Sequence, residues 1–173
     1  MAETAIMSSQ HVERTMRRLA YEVVEHNQGA EALDVFGILD SGSPLAQALV
    51  AEINAIEEST LQAYDLDVTT YRDDYEGSPA RSEQDGASLD ITDRHVLLVD
   101  DVLFTGRTAR AALDAVLQYG RPRSIQLAVL VDRGHREYPI HPDYVGRHLP
   151  TKHRERVVVR TKEDFTVSVV DAH

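Results

Sequence analysis

Two adjacent carboxylates, Asp100 and Asp101, follow the apolar run VLLV at 96–99. After Val102 and Leu103 comes the short turn Phe104, Thr105, Gly106, Arg107, Thr108. A turn that leads from a strand into a helix leaves the first helical N–H groups unbonded, and the helix dipole favours an anion there. Gly106 lets the backbone approach a ligand closely, Thr105 and Thr108 add hydroxyl donors, and Arg107 adds charge. A phosphate dianion fits such a turn, yet two carboxylates a few ångströms away would repel a bare phosphate. Both features make sense together if the ligand carries phosphate at one end and hydroxyls or a metal ion at the other. A phosphorylated sugar is the simplest such molecule, with its diol and a magnesium ion near the carboxylates. Singly, aspartates that end a strand and a threonine that caps a helix are ordinary structural features; the combination points to chemistry.

The elements that must position these residues can be read from periodicity. Ser8 or Ser9 caps a helix whose apolar residues Val12, Met16, Leu19, Ala20, Val23 and Val24 share one face, and residues 27–29 end it. Residues 33–39 read as a buried strand, 40–43 as a turn, and Pro44 as the first position of a helix carrying Leu45, Leu49, Ile53 and Ile56. A strand is expected over 66–71. Residues 72–92 are polar, without periodicity, and long for a loop inside a compact domain, which suggests a functional lid or a disordered segment. A strand over 96–99, a helix over 108–119 stopped by Gly120 and Pro122, and strands over 125–131, 157–160 and 165–170 complete the pattern. Apolar strands alternating with amphipathic helices indicate an α/β fold with a mostly parallel central sheet covered on both faces. Ligands of such sheets bind beyond the carboxyl ends of the strands, where the opening segment ends.

Composition narrows the classes. The 173 residues, 42% hydrophobic and 27% charged, read as one domain spanning 1–173. No membrane span or signal peptide is evident, and the absence of cysteine removes thiolate chemistry and suits a cytoplasmic setting. A formal charge of −11 argues against unspecific nucleic-acid binding. Residues 121–160 nevertheless hold nine Lys/Arg against four Asp/Glu, so a basic face on an acidic protein is open beside a solvated surface. His135, His141, His148 and His153 are too irregularly spaced to define a metal site.

VLLVDDVLFTGRT at 96–108 resembles the phosphoribosyl pyrophosphate (PRPP) motif of type I phosphoribosyltransferases. LDVTTYRDD at 66–74, AVLVDRGHREYPI at 128–140 and VGRHLPT at 145–151 resemble one family within them, the pyrimidine-operon attenuators and uracil phosphoribosyltransferases called PyrR, from about residue 10 to 160. The resemblance implies the type I phosphoribosyltransferase fold with a flexible loop, about 72–92, over the site. It implies conversion of uracil and PRPP to UMP and pyrophosphate with Mg2+ as cofactor, in a cytoplasmic homodimer or higher homo-oligomer. By the same resemblance, Asp100 and Asp101 hold the ribose hydroxyls, directly or through the metal, and residues 102–108 (Val102, Leu103, Phe104, Thr105, Gly106, Arg107, Thr108) contact PRPP or nucleotide. Arg72 belongs to the covering loop, and Arg133 and Val157 contact nucleotide.

One segment departs from the family pattern. The first strand-to-helix turn normally carries Thr-Arg-Gly for pyrophosphate, whereas here GILDSGSP at 37–44 puts Asp40 and Ser41 before Gly42. Losing the arginine removes a charged partner worth about 1.5–3 kcal/mol, so weak PRPP affinity or turnover is expected. A second function implied by the family is binding of pyrimidine-operon leader mRNA. Its candidates are Arg17, Arg18, Arg136, Arg147, Lys152, Arg154 and Arg156, although Tyr21, Gln28 and His141 replace family basic positions. A third reading, a receiver domain with Asp132 as phosphoacceptor and Lys152 as partner, leaves the FTGRT turn and the long loop without a role.

Overall fold

The structure, a computed structural model, describes residues 2–79 and 89–172. Five strands form a parallel sheet: β2 (Leu33–Ile38), β3 (Ala63–Leu66), β4 (His95–Leu103), β5 (Ser124–Asp132) and β6 (Tyr144–His148), in spatial order β3-β2-β4-β5-β6. Three others, β1 (Glu3–Met7), β7 (Glu155–Arg160) and β8 (Thr166–Asp171), form an antiparallel sheet ordered β1-β8-β7. The helices are α1 (Ser9–Asn27), α2 (Gly42–Glu57) and α3 (Arg107–Val116), with single 3-10 turns at Thr69–Tyr71 and Leu117–Tyr119.

Every residue of β2 is buried, as a central parallel strand covered on both faces must be. Its one charged member, Asp34, is held by Arg94 at 2.6 Å, so the buried carboxylate is not left unpaired. One core contains Met16, Leu19, Leu45, Leu49 and Ile53 from α1 and α2, packed with Leu33, Leu97 and Leu130 of the sheet. The second contains Ala111, Ala112 and Val116 of α3, packed with Phe36, Leu98 and Val129. No described helix is long and apolar enough to cross a membrane.

Several expected boundaries move. Ser8 does cap α1, accepting the His11 N–H at 3.2 Å. The strand expected over 66–71 is instead β3, ending at Leu66, because the Asp67 carboxylate accepts the Thr69 N–H (3.0 Å) and hydroxyl (2.6 Å) and bends the chain into a 3-10 turn. β4 runs on to Leu103 rather than stopping at Val99. β1 and β6 were not expected. The polar stretch 72–92 includes fully buried Ile91 near its end, so that residue belongs to the core, and its residues 80–88 lie outside those described.

Candidate active site

β2 and β4 are neighbours in the parallel sheet, and each ends in a turn that opens a helix. Because β4 extends past its apolar run, Asp100 remains in register with Val129 of β5, and Val102 with Val131. The two carboxylates bond locally: Asp101 N–H donates to Asp100 Oδ1 at 2.9 Å, and Val102 N–H to Asp101 Oδ1 at 2.7 Å. Among the described residues no lysine or arginine pairs with either one. Asp100 keeps some accessible surface, but burial of its carboxyl, followed by the charge of Asp101, pushes its pKa well above the ordinary carboxylate range.

The turn after β4 has the conformation its glycine allows. Gly106 has φ +91°, and a Cβ there would meet the Ile140 side chain at 3.0 Å. Thr105 Oγ1 accepts the first α3 N–H, from Arg107, at 3.3 Å. A cavity of about 200 Å³ is lined by Asp100, Thr105, Gly106, Arg107, Thr108 and Arg72, among others. Arg72 donates to Thr108 Oγ1 at 3.2 Å and pairs with Asp74, so the base of the loop after β3 docks on the turn. The Arg107 guanidinium is drawn to that loop and to the β5–β6 connection: it pairs with Glu137 at 3.0 Å and with Asp73, donates to the Tyr138 hydroxyl at 2.7 Å, and lies over the Tyr138 ring. Tyr138 in turn donates to Asp73 at 2.8 Å.

The network of Asp73, Glu137 and Tyr138 was not read from the sequence. The signal was present in REY at 136–138 and RDD at 72–74, but nothing local shows that segments more than sixty residues apart meet around Arg107.

Other candidates fall elsewhere. Arg133 is buried at the end of β5, outside that cavity. Its guanidinium stacks 3.9 Å from the Phe104 ring centroid and donates to Thr151 Oγ1 and to the Lys152 and His153 carbonyls. Phe104 also meets His135 and His153 at ring distances of 5.8 and 5.5 Å. Two of the four histidines thus build an aromatic wall, and no described group of three or more His, Cys, Asp or Glu residues forms a metal site. Val157 lies on β7, packed against the first core.

The proposed basic face is largely neutralised. Arg17 pairs with Glu13 and Glu52, Arg18 with Glu22, and Arg154 with Asp171, while Arg147 donates to the Ile6 carbonyl. Arg136 is turned inward, paired with Asp132 at 2.6 Å. Lys152 and Arg156 are exposed, and neither side chain has a partner among the described residues.

The turn after β2 carries the exposed residues Asp40 and Ser41. Ser41 caps α2 by position but makes no side-chain cap bond, and the Leu39–Asp40 peptide is cis. Gly42 is buried against β4, where a Cβ would lie 2.3 Å from the Val99 carbonyl oxygen. Ser43 donates to Asp65 at 2.5 Å, which ties the helix start to β3. The two turns thus flank the Asp100 end of β4.

The fold is that of a phosphoribosyltransferase: the family described as "Phosphoribosyl transferase domain" matches residues 3–165. Among curated relatives, the "Bifunctional protein PyrR" of Oceanobacillus iheyensis is 47% identical over 165 residues, 93% of this chain and 92% of that protein. The protein of the same name from Deinococcus radiodurans is 46% identical over 172 residues, covering 98% and 93%. The chain belongs to the PyrR family of phosphoribosyltransferases. Among solved structures, the hypoxanthine phosphoribosyltransferase of Trypanosoma cruzi superposes with a TM-score of 0.76 at 18% identity, covering 99% of this chain and 98% of that one. A hypoxanthine-guanine phosphoribosyltransferase from Bacillus anthracis gives 0.73 at 19%, covering 96% and 98%. At these identities the likeness shows the fold, which is the type I phosphoribosyltransferase fold.

Proposed function

We propose that residues 1–173 act as one uracil phosphoribosyltransferase domain, converting uracil and PRPP to UMP and pyrophosphate. The observation that carries this reading is the shared cavity of Asp100 and the Thr105–Thr108 turn, which offers a carboxylate to a sugar diol and N–H and hydroxyl donors to its 5′-phosphate. In the reaction the ribose C1–pyrophosphate bond breaks, uracil N1 bonds to C1, and the N1 proton is released. Positive charge develops on the ribose ring between these events, and the task of the chain is to position both partners and stabilise that charge. Asp100 and Asp101 orient the ribose hydroxyls and face the developing charge. Arg72, already on Thr108, closes the phosphate end against water.

Asp100 and Asp101 fit a magnesium ion carried in with PRPP. They are two hard oxygen donors without a cationic partner among the described residues, and burial, followed by the charge of Asp101, raises the Asp100 pKa, as expected of a carboxylate with no cation beside it. Magnesium held there would neutralise charge on PRPP oxygens. The reading also carries a cytoplasmic setting and a homodimer or higher homo-oligomer.

An assay of UMP formation from uracil and PRPP with magnesium tests this, run beside PRPP and UMP binding. UMP formation is expected, with weak PRPP affinity because Asp40 and Ser41 offer pyrophosphate no cation. Absence of both binding and turnover would remove the reading. Binding without turnover would favour a second reading, a catalytically weak nucleotide-sensing regulator that binds leader mRNA. Exposed Lys152 and Arg156 in the basic segment favour it. RNA affinity would then fall steeply with salt, and a flat response would count against it.

A further inference from the structure

The β5–β6 connection makes a set of bonds that the proposed chemistry does not by itself require. Arg133 N–H donates to the Leu103 carbonyl at 3.1 Å, and Glu137 and Tyr138 N–H donate to the Thr105 carbonyl at 2.9 and 3.0 Å. Between them, Arg136 Nη1 donates to the Phe104 carbonyl at 2.8 Å. Three successive carbonyls of the phosphate turn are therefore held by one connection, and the middle one is held only by a side chain.

Peptide planarity gives this clamp a consequence. In a trans peptide the C=O and the following N–H point in opposite directions, and the one cis bond in the described chain lies elsewhere, at Leu39–Asp40. Pulling the carbonyls of Leu103, Phe104 and Thr105 toward the connection turns the N–H groups of Phe104, Thr105 and Gly106 away from it. None of the three donates to another group among the described residues. Successive N–H groups turned to one side form a concavity suited to an anion.

Arg136 is built for the task. Its Nη2 pairs with Asp132 at 2.6 Å and its Nε donates to the Ile140 carbonyl at 3.0 Å, so all three nitrogens are engaged in a fixed fork. Asp132 is fixed in turn by the Gly134 N–H at 3.1 Å. Burial alone would raise the Asp132 pKa, but Arg136 and that N–H outweigh it and hold the carboxylate below its ordinary range.

We propose that Arg136, anchored by Asp132, is a positioning residue that aims the backbone N–H groups of the 104–106 turn at the 5′-phosphate, rather than a surface contact for RNA. This rests on the phosphoribosyltransferase reading above. The test compares Arg136→Met, Arg136→Lys and Asp132→Asn with the unaltered chain, using calorimetric binding of UMP, ribose 5-phosphate and uridine, together with KM for PRPP and for uracil.

UMP and ribose 5-phosphate affinity are expected to fall about tenfold in Arg136→Met, with KM for PRPP rising in parallel. KM for uracil and any binding of uridine, which has no phosphate, should stay unchanged. Arg136→Lys recovers part of the loss, and Asp132→Asn shows a smaller loss in the same direction. Unchanged phosphate affinity with only a lower folded fraction or lower kcat would overturn the proposal. So would equal losses for phosphate-bearing and phosphate-free ligands. Should Arg136→Met fail to fold, Asp132→Asn and Arg136→Lys decide by the same split. If the unaltered chain binds neither UMP nor ribose 5-phosphate, the functional reading itself fails. Binding that the variants leave intact overturns only the role of Arg136.

Discussion

The turns after β2 and β4 are topological twins with opposite chemistry. Each leaves a parallel strand, opens a helix and contains a glycine without room for a side chain. After β4 the chain supplies two threonines, an arginine and three N–H groups aimed by a neighbouring connection. After β2 it supplies an exposed aspartate, an exposed serine and no cation. Backbone geometry therefore makes a helix start available to an anion, while side chains decide whether the anion is welcomed. On the proposed reading, one end of the site suits a monophosphate, and the other lacks the cation that a diphosphate would use.

The comparison can be broken most severely at the carboxylates between the turns. Asp101→Asn is expected to lower UMP formation by about 10²-fold or more, measured as kcat/KM. Asp100→Asn should lose activity similarly while gaining stability. Its raised pKa means the folded chain holds that proton more tightly than the unfolded chain. Its contribution is therefore favourable while protonated in acid and is lost as pH rises through the folded pKa. Thermal melts should show Asp100→Asn ahead of the unaltered chain at pH 8, with the gap closing below about pH 4.

Next in size are the two glycines. A Cβ at Gly42 would strike the Val99 carbonyl oxygen at 2.3 Å, a backbone atom fixed in the sheet. A Cβ at Gly106 would meet the more yielding Ile140 side chain at 3.0 Å, with added strain from φ +91°. Gly42→Ala should cost about 3 kcal/mol and Gly106→Ala about 1–2 kcal/mol in denaturant titrations. The reverse order would mean that the first turn moves more readily than its packing implies.

The smallest effect sharpens the contrast. Ser41→Arg gives the first turn the cation it lacks, and PRPP affinity should rise about 3–10-fold while UMP affinity stays level, because UMP carries no pyrophosphate. Absence of any gain in PRPP binding or rate would sink the account of the acidic turn.

How much of this was legible in the sequence depended on how local the signal was. Asp100, Asp101 and the FTGRT turn sit within a dozen residues, and strand periodicity already placed them at the carboxyl end of a central strand. The α/β class followed from unbroken apolar runs alternating with amphipathic helices. Two edge strands were missed because β1 is short and mostly exposed and β6 is interrupted by Gly146, so neither has a clear period. Arg136 read as a surface charge because one partner, the Phe104 carbonyl, lies 32 residues away and is brought to it only by the fold, and the nearness of Asp132 in sequence does not show that the pair turns inward. The same holds for Arg107, whose guanidinium answers to Asp73, Glu137 and Tyr138.

The antiparallel sheet has a consequence in time as well as in space. β1 finds its partner in β8, with Glu3 opposite Val170, nearly the whole chain away. Closing so long a loop is entropically slow, and during synthesis β1 emerges long before β8 exists. The parallel sheet and its two cores can assemble in the interval, leaving β1 to dock last. Refolding followed by hydrogen exchange should therefore show protection in β2 and β4 before protection in β1 and β8. Ribosome-bound chains that lack the last strand should carry a formed central sheet and a first strand still waiting for its partner.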